Sequence, residues 1–262
     1  MRVIPILWLL TGLAHAATPL PEPPYVITQP GDYYLNASVN FSSLSGRAYQ
    51  INAANVAIDG RERLVINGSG SGNTATGFEA MAGATNFTLR NITVAGFHCM
   101  AKSAAAYTTY ENVKGWSWYL GLQLLRYGSL AVDCKITGVG AYALQGLDAQ
   151  VYNRPQGYTL AGNGTKALRC HVVDIIIPAP LPPPGTVEAM AFNAVNGDVE
   201  IADCLAACTF SPAPGLRTFA IWTNATSLFV RDCSFARFGY ITNPGPVFID
   251  HALKDCLNFY WE

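Results

Sequence analysis

Apolar and polar residues alternate in short bursts along this chain, and one burst keeps returning. Val230-Arg231-Asp232-Cys233-Ser234-Phe235 reads apolar, variable, Asn/Asp, Cys or aliphatic, variable, apolar. The phrase recurs as Ile201-Ala202-Asp203-Cys204, Leu253-Lys254-Asp255-Cys256-Leu257, Val132-Asp133-Cys134-Lys135-Ile136, Leu89-Arg90-Asn91-Ile92 and Tyr110-Glu111-Asn112-Val113, with Leu168-Arg169-Cys170-His171 as a degenerate copy. Alternation with period two over a few residues marks half-buried strands. Self-similarity every few tens of residues marks a stacked repeat, and it outranks any single motif. Asn91, Asn112 and Asp133 lie 21 residues apart, and Asp203, Asp232 and Asp255 follow at intervals of 29 and 23.

Each repeat divides into three short strands. In the last copies these are 219–222, 228–230 and 233–238, and equivalent first strands are expected at 121–124, 142–145, 191–194 and 247–250. A sharp bend between strands needs a left-handed or near-bridge backbone, which Asn and Asp tolerate, and their side chains can bond neighbouring backbone groups. The Asn/Asp positions are therefore expected to stack as a corner ladder. The Pro/Gly-rich stretches 154–164, 178–185 and 211–215 are expected to leave the stack as loops. Regular helices between strands, as a barrel or doubly wound sheet requires, have no room here.

On these residues the chain resembles the right-handed parallel β-helix proteins of the pectate-lyase-like superfamily, from about Pro24 to the C-terminus. The resemblance implies an all-β, right-handed parallel β-helix of about seven to nine three-strand coils. It also implies a substrate groove beside the first strands and the loops that precede them. The Asn-Thr-Asp, Asp-Asp, Gly-His-Gly and Arg-Ile-Lys patterns of polygalacturonase-like enzymes do not occur. Neither does an acidic cluster with a basic partner of the kind that holds calcium in pectate lyases. No cofactor is expected; calcium stays open, without a motif for it.

Composition refines this picture. Arg2, the apolar run 3–13 and Ala14-His15-Ala16 read as a secretory signal peptide, so 1–17 is expected to be removed. A Pro-rich spacer at 18–24 and a single solenoid domain at 25–262 should follow, secreted or at the cell surface. No later stretch is long and apolar enough for a membrane helix. Net charge is −1, only 13% of residues are charged, and no basic stripe exists, which argues against a nucleic-acid partner. The seven cysteines form an odd set, and Cys134, Cys170, Cys204, Cys233 and Cys256 share one place in the repeat. That place suits a small inward residue, so a mostly unbridged interior row is favoured over a disulfide framework.

Candidate chemistry lies where the first strands should face outward. Gln123, Tyr142, Gln145, Asn193 and Trp222 are the candidate substrate-binding residues. Amides satisfy sugar hydroxyls and an aromatic face covers a sugar ring, so the row suits a polysaccharide. A solvated polar ladder whose amides bond one another is the competing reading. Asp148, Asp250 and Arg126 are weak catalytic candidates, because glycoside hydrolysis usually needs two facing carboxyl groups and no two share an obvious register. Trp116 and Trp118 share one strand face, as a sugar platform or partner patch if outward and as lumen filling if inward. The C-terminal 255–262 carries no capping segment, which suggests an alternative function: a non-enzymatic surface protein that self-associates or docks a protein partner there.

Overall fold

A computed structural model describes residues 16–70, 72–140, 156–173, 175–176, 187–207, 216–236, 240–242 and 247–250. Among them every regular element is a β-strand and no helix occurs. All of the strand pairings are parallel. Alternating patterns without helix periods leave the backbone one way to satisfy its donors and acceptors, which is strand on strand.

The strands stack in three columns. The first runs from Arg47–Ile51 and Thr76–Ala80 through residues 99–103 and 120–124, then Gln156–Ala161, Val187–Val195, Leu216–Asn224 and Tyr240–Thr242. The second includes Leu130–Val132, Thr165–Leu168, Asp198–Ala202, Ser227–Arg231 and Val247–Asp250. The third includes Lys135–Gly140, His171–Val173, Leu205–Ala207 and Ser234–Ala236. Two 16-residue strands, Thr88–Ser103 and Thr109–Leu124, pass through the second, third and first columns without leaving the sheet. A helix-free parallel stack of this kind is compatible with a β-helical solenoid.

The core is the inward row of each column. Tyr49 stacks on Phe78 at 5.0 Å and Tyr158 on Phe192 at 5.1 Å, all four rings fully buried. Each such side chain contributes roughly 1.5–3 kcal/mol by leaving water. The corner ladder is present: Asn91, Asn112, Asp133, Arg169, Asp203 and Asp232 all hold φ between 51° and 54°. Asn112 Nδ2 donates to Asn91 Oδ1 at 3.0 Å, tying one coil to the next. Arg169 replaces the acid at its level and donates Nε and Nη2 to Asp133 below at 2.7 and 2.8 Å. Asp255 lies outside the described residues.

Immediately after that corner stand Cys134, Cys170, Cys204 and Cys233, all buried and unbridged. Each thiol donates to the carbonyl two residues earlier, on Val132, Leu168, Ala202 and Arg231, at 3.1–3.4 Å. A cysteine here is small enough for the interior and can also serve a carbonyl at the bend. Cys99, also unbridged, lies elsewhere, in register with Leu120 in the first column.

The structure revises three placements. Residues 142–145 lie outside the described residues, and the next strand in the first column is Gln156–Ala161, inside a stretch expected to be a loop. Pro155 and the glycines Gly157, Gly162 and Gly164 obscure its alternation. Val247–Asp250 belongs to the second column, with Asp250 opposite Arg231, and Tyr240–Thr242 takes the first-column place. A four-residue apolar burst carries no mark of its column. Within the stretch 18–24, Thr18–Pro19 pairs with Tyr33 and Tyr34 and Leu20 is buried.

Candidate functional site

Strand register turns scattered residues into a row. Along the first column, Gln50, Glu79, Lys102, Gln123, Thr159, Asn193 and Trp222 occupy one position coil after coil. Their neighbours on the N-terminal side, Tyr49, Phe78, Ala101, Leu122, Tyr158, Phe192 and Ile221, point into the core. Alternation therefore turns the row outward. Gln123, Asn193 and Trp222, singled out from the sequence, do share this row.

The upper part of the row is a hydrogen-bonded amide and hydroxyl network. Gln123 Nε2 donates to Thr159 Oγ1 at 3.3 Å, and Thr159 Oγ1 donates to Gln156 Oε1 at 2.6 Å. Asn193 Nδ2 donates to the same Gln156 oxygen at 2.9 Å. Asn193 is only 8% exposed, and its Oδ1 has no hydrogen-bond partner among the described residues. A buried acceptor left unpaired costs about 1–3 kcal/mol, so it calls for a reason. Trp222, half-buried, stands one level above it.

The lower part is charged. Glu79 is held between the Arg47 guanidinium and Lys102 Nζ, the latter at 3.8 Å. Among the described side chains of the row, Glu79 is the one carboxylate, so no pair faces another there for acid–base work. Asp148, Tyr142 and Gln145 lie outside the described residues, and Asp250 sits in a different column. Arg126 is described but lies beyond the C-terminal end of its first-column strand, exposed at the lip of a separate cleft. No group of three or more metal-ligating side chains occurs among the described residues.

Beside the row lies an aromatic bend. Trp116 and Trp118 flank the buried Ser117, so both leave on the outer face, where the two half-buried rings meet edge to face at 4.9 Å with Trp118 Nε1 enclosed. His98 stacks on Tyr119 at 5.0 Å, and burial pushes its imidazole down to about 4, which keeps it neutral near pH 7. This ordering resolves the two readings of the tryptophans in favour of the outer face.

Sequence reasoning missed Gln156, Thr159, Glu79 and Lys102. Continuing the alternation upstream from Gln123 would have reached Lys102 and Glu79. Gln156 and Thr159 were hidden in the Pro/Gly-rich surroundings of 154–164. No protein-family model matches this chain, and no curated protein matches it in sequence.

Proposed function

We propose that this chain is an exported right-handed parallel β-helix of the pectate-lyase-like kind that binds a polysaccharide along the outward row of its first column. The reading is of a binding surface. The observation that carries it is Asn193 Oδ1, an enclosed acceptor without a described partner, set between an amide network and a half-buried tryptophan. A sugar hydroxyl would satisfy the acceptor while the ring covers Trp222. Gln123, Gln156 and Thr159 would orient the neighbouring hydroxyls through the network they already share. The leader-like N-terminus, the scarcity of charge and the resemblance of the repeats support export and the family-like architecture.

The test is a glycan array of neutral and acidic polysaccharides, followed by Asn193→Leu and Trp222→Ala. Binding should fall by about tenfold or more in each variant, one hydrogen bond or one ring face being worth roughly 1.4 kcal/mol. Asn193→Leu should stay close to the parent in stability, because losing the Nδ2 bond to Gln156 is offset by removing a buried unpaired acceptor. An array without hits, or binding unchanged in both variants, would leave a non-enzymatic surface or docking protein as the better reading.

A further inference from the structure

The bend between the first and second columns holds a second site, distinct from the row above. Its backbone also needs left-handed residues, and the chain supplies Asn55, Asn86, Tyr107 and Gly128 at φ of 56°, 59°, 57° and 67°. They stack through backbone bonds: Asn86 N–H to Ala106 O at 3.2 Å, Tyr107 N–H to Tyr127 O at 3.2 Å and Gly128 N–H to Asn163 O at 2.9 Å. Asparagine is at home here, and Asn86 Nδ2 even donates to Asn55 Oδ1 at 2.9 Å. Tyrosine is not. A bulky residue held at positive φ costs of order 1–3 kcal/mol and persists where the surroundings or a function demand it.

The ring gained at that cost is largely exposed. Tyr107 is 53% and Tyr127 50% exposed, and the two meet edge to face at 5.3 Å. Gly128 leaves room for Tyr107, since a Cβ there would fall 2.6 Å from its ring. The two tyrosines line an open cleft of about 800 Å³ that Arg126, Asn163, Asn196 and three glycines also line. Arg126 is the one charged residue lining the cleft, and it makes no ion pair with any described residue.

We propose that this cleft is a second saccharide site, taking one anionic sugar residue whose ring rests on the Tyr107–Tyr127 pair and whose acidic group meets the Arg126 guanidinium. Aromatic faces cover the apolar face of a pyranose, and the planar guanidinium matches a carboxylate or sulfate through two parallel N–H donors. Asn163 and Asn196 supply donors and acceptors for ring hydroxyls. Uronate and sulfated sugars share this chemistry. The proposal does not depend on the first-column row.

Calorimetry of the full chain would use three probes of equal length: a hexuronate tetramer, a sulfated tetramer and the neutral hexose tetramer. At least one anionic probe should bind more tightly than the neutral one, and binding should weaken as salt rises. Arg126→Gln should lower that affinity by about tenfold or more and leave the neutral probe unchanged. Tyr107→Asn, which installs the residue used at 55 and 86, should abolish the anionic preference with Tm unchanged or raised. Trp222→Ala should leave the Arg126-dependent component intact, so failure of the row and failure of the cleft are told apart. Equal affinity for all three probes, insensitivity to Arg126→Gln, or a lower Tm in Tyr107→Asn would overturn the proposal.

Discussion

Two corners of this molecule both impose a left-handed backbone and fill it differently. Between the second and third columns, φ stays within 51–54° over six described levels, and side chains serve one another: Asn112 bonds Asn91 and Arg169 chelates Asp133. Between the first and second columns positive φ falls on Asn55, Asn86, Tyr107 and Asn196 and on Gly128, Gly162, Gly164 and Gly197, ranging from 53° to 110°, and the loops widen into a cleft. The uniform corner spends its polar groups on holding the stack. The varied corner leaves two tyrosines and an arginine facing water. Where a repeat departs from its own rule while the backbone stays left-handed, the departure is where ligand chemistry should be sought.

Substitution at the two corners gives the largest expected effects. Gly197→Ala, in the varied corner, places a Cβ 2.6 Å from Asn163 N at a φ of 110° and should cost about 3 kcal/mol or more. Asp203→Ala, in the uniform corner, keeps the fold but forces alanine to a left-handed φ, and should cost about 1–2 kcal/mol. Urea denaturation separates the two. Equal costs would mean that backbone geometry alone, and not close backbone approach, distinguishes the corners.

Acid divides the molecule along another line. His98, in neither corner, is held neutral by burial, with its folded value pushed down to about 4. As pH falls below about 6.5 the unfolded chain takes up the proton first, so stability should drop between about 6.5 and 4, by about 2–3 kcal/mol, and level off below. His98→Phe should flatten that window while keeping the stack on Tyr119. If the window persists in the variant, His98 is not its source.

The smallest effect sharpens the ladder. Hydrogen bonds from Arg169 hold the Asp133 carboxyl below its ordinary range, against an opposing effect of burial. Its contribution is therefore fully present above the unfolded value near 3.8 and is lost as pH falls through the lower folded value. Both partners are about half exposed, so solvent and salt keep the effect small. Asp133→Asn should remove this low-pH step without disturbing the corner, because Asn91 and Asn112 already adopt its φ. A stability profile below pH 4 that is identical in the variant would contradict the pairing.

Much of the fold was legible because the repeat writes a steric demand into the sequence. A left-handed bend once per coil selects Asn and Asp, and the position after it selects a small buried residue, so the ladder and the cysteine row could be read from spacing. Column membership was less legible. Val247–Asp250 and Gln156–Ala161 were misplaced because short alternating bursts look alike in every column, and only the pairing partner tells them apart. The site was legible in part for the same reason. Gln123, Asn193 and Trp222 follow from period two within strands already placed, whereas Gln156 and Thr159 depend on a strand obscured by its flanking Pro and Gly. The Tyr107–Tyr127 cleft has no sequence motif at all. Its signal is a tyrosine at a position that other coils give to asparagine or glycine.

The central claim is that the first-column row binds sugar through Asn193. A crystal structure of the chain soaked with an oligosaccharide identified on the glycan array tests it most directly. The expected result is a sugar hydroxyl within about 3 Å of Asn193 Oδ1, with its ring over Trp222. An Asn193 Oδ1 capped instead by the chain's own residues from 177–186 or 208–215, with no sugar on the row, would contradict the claim.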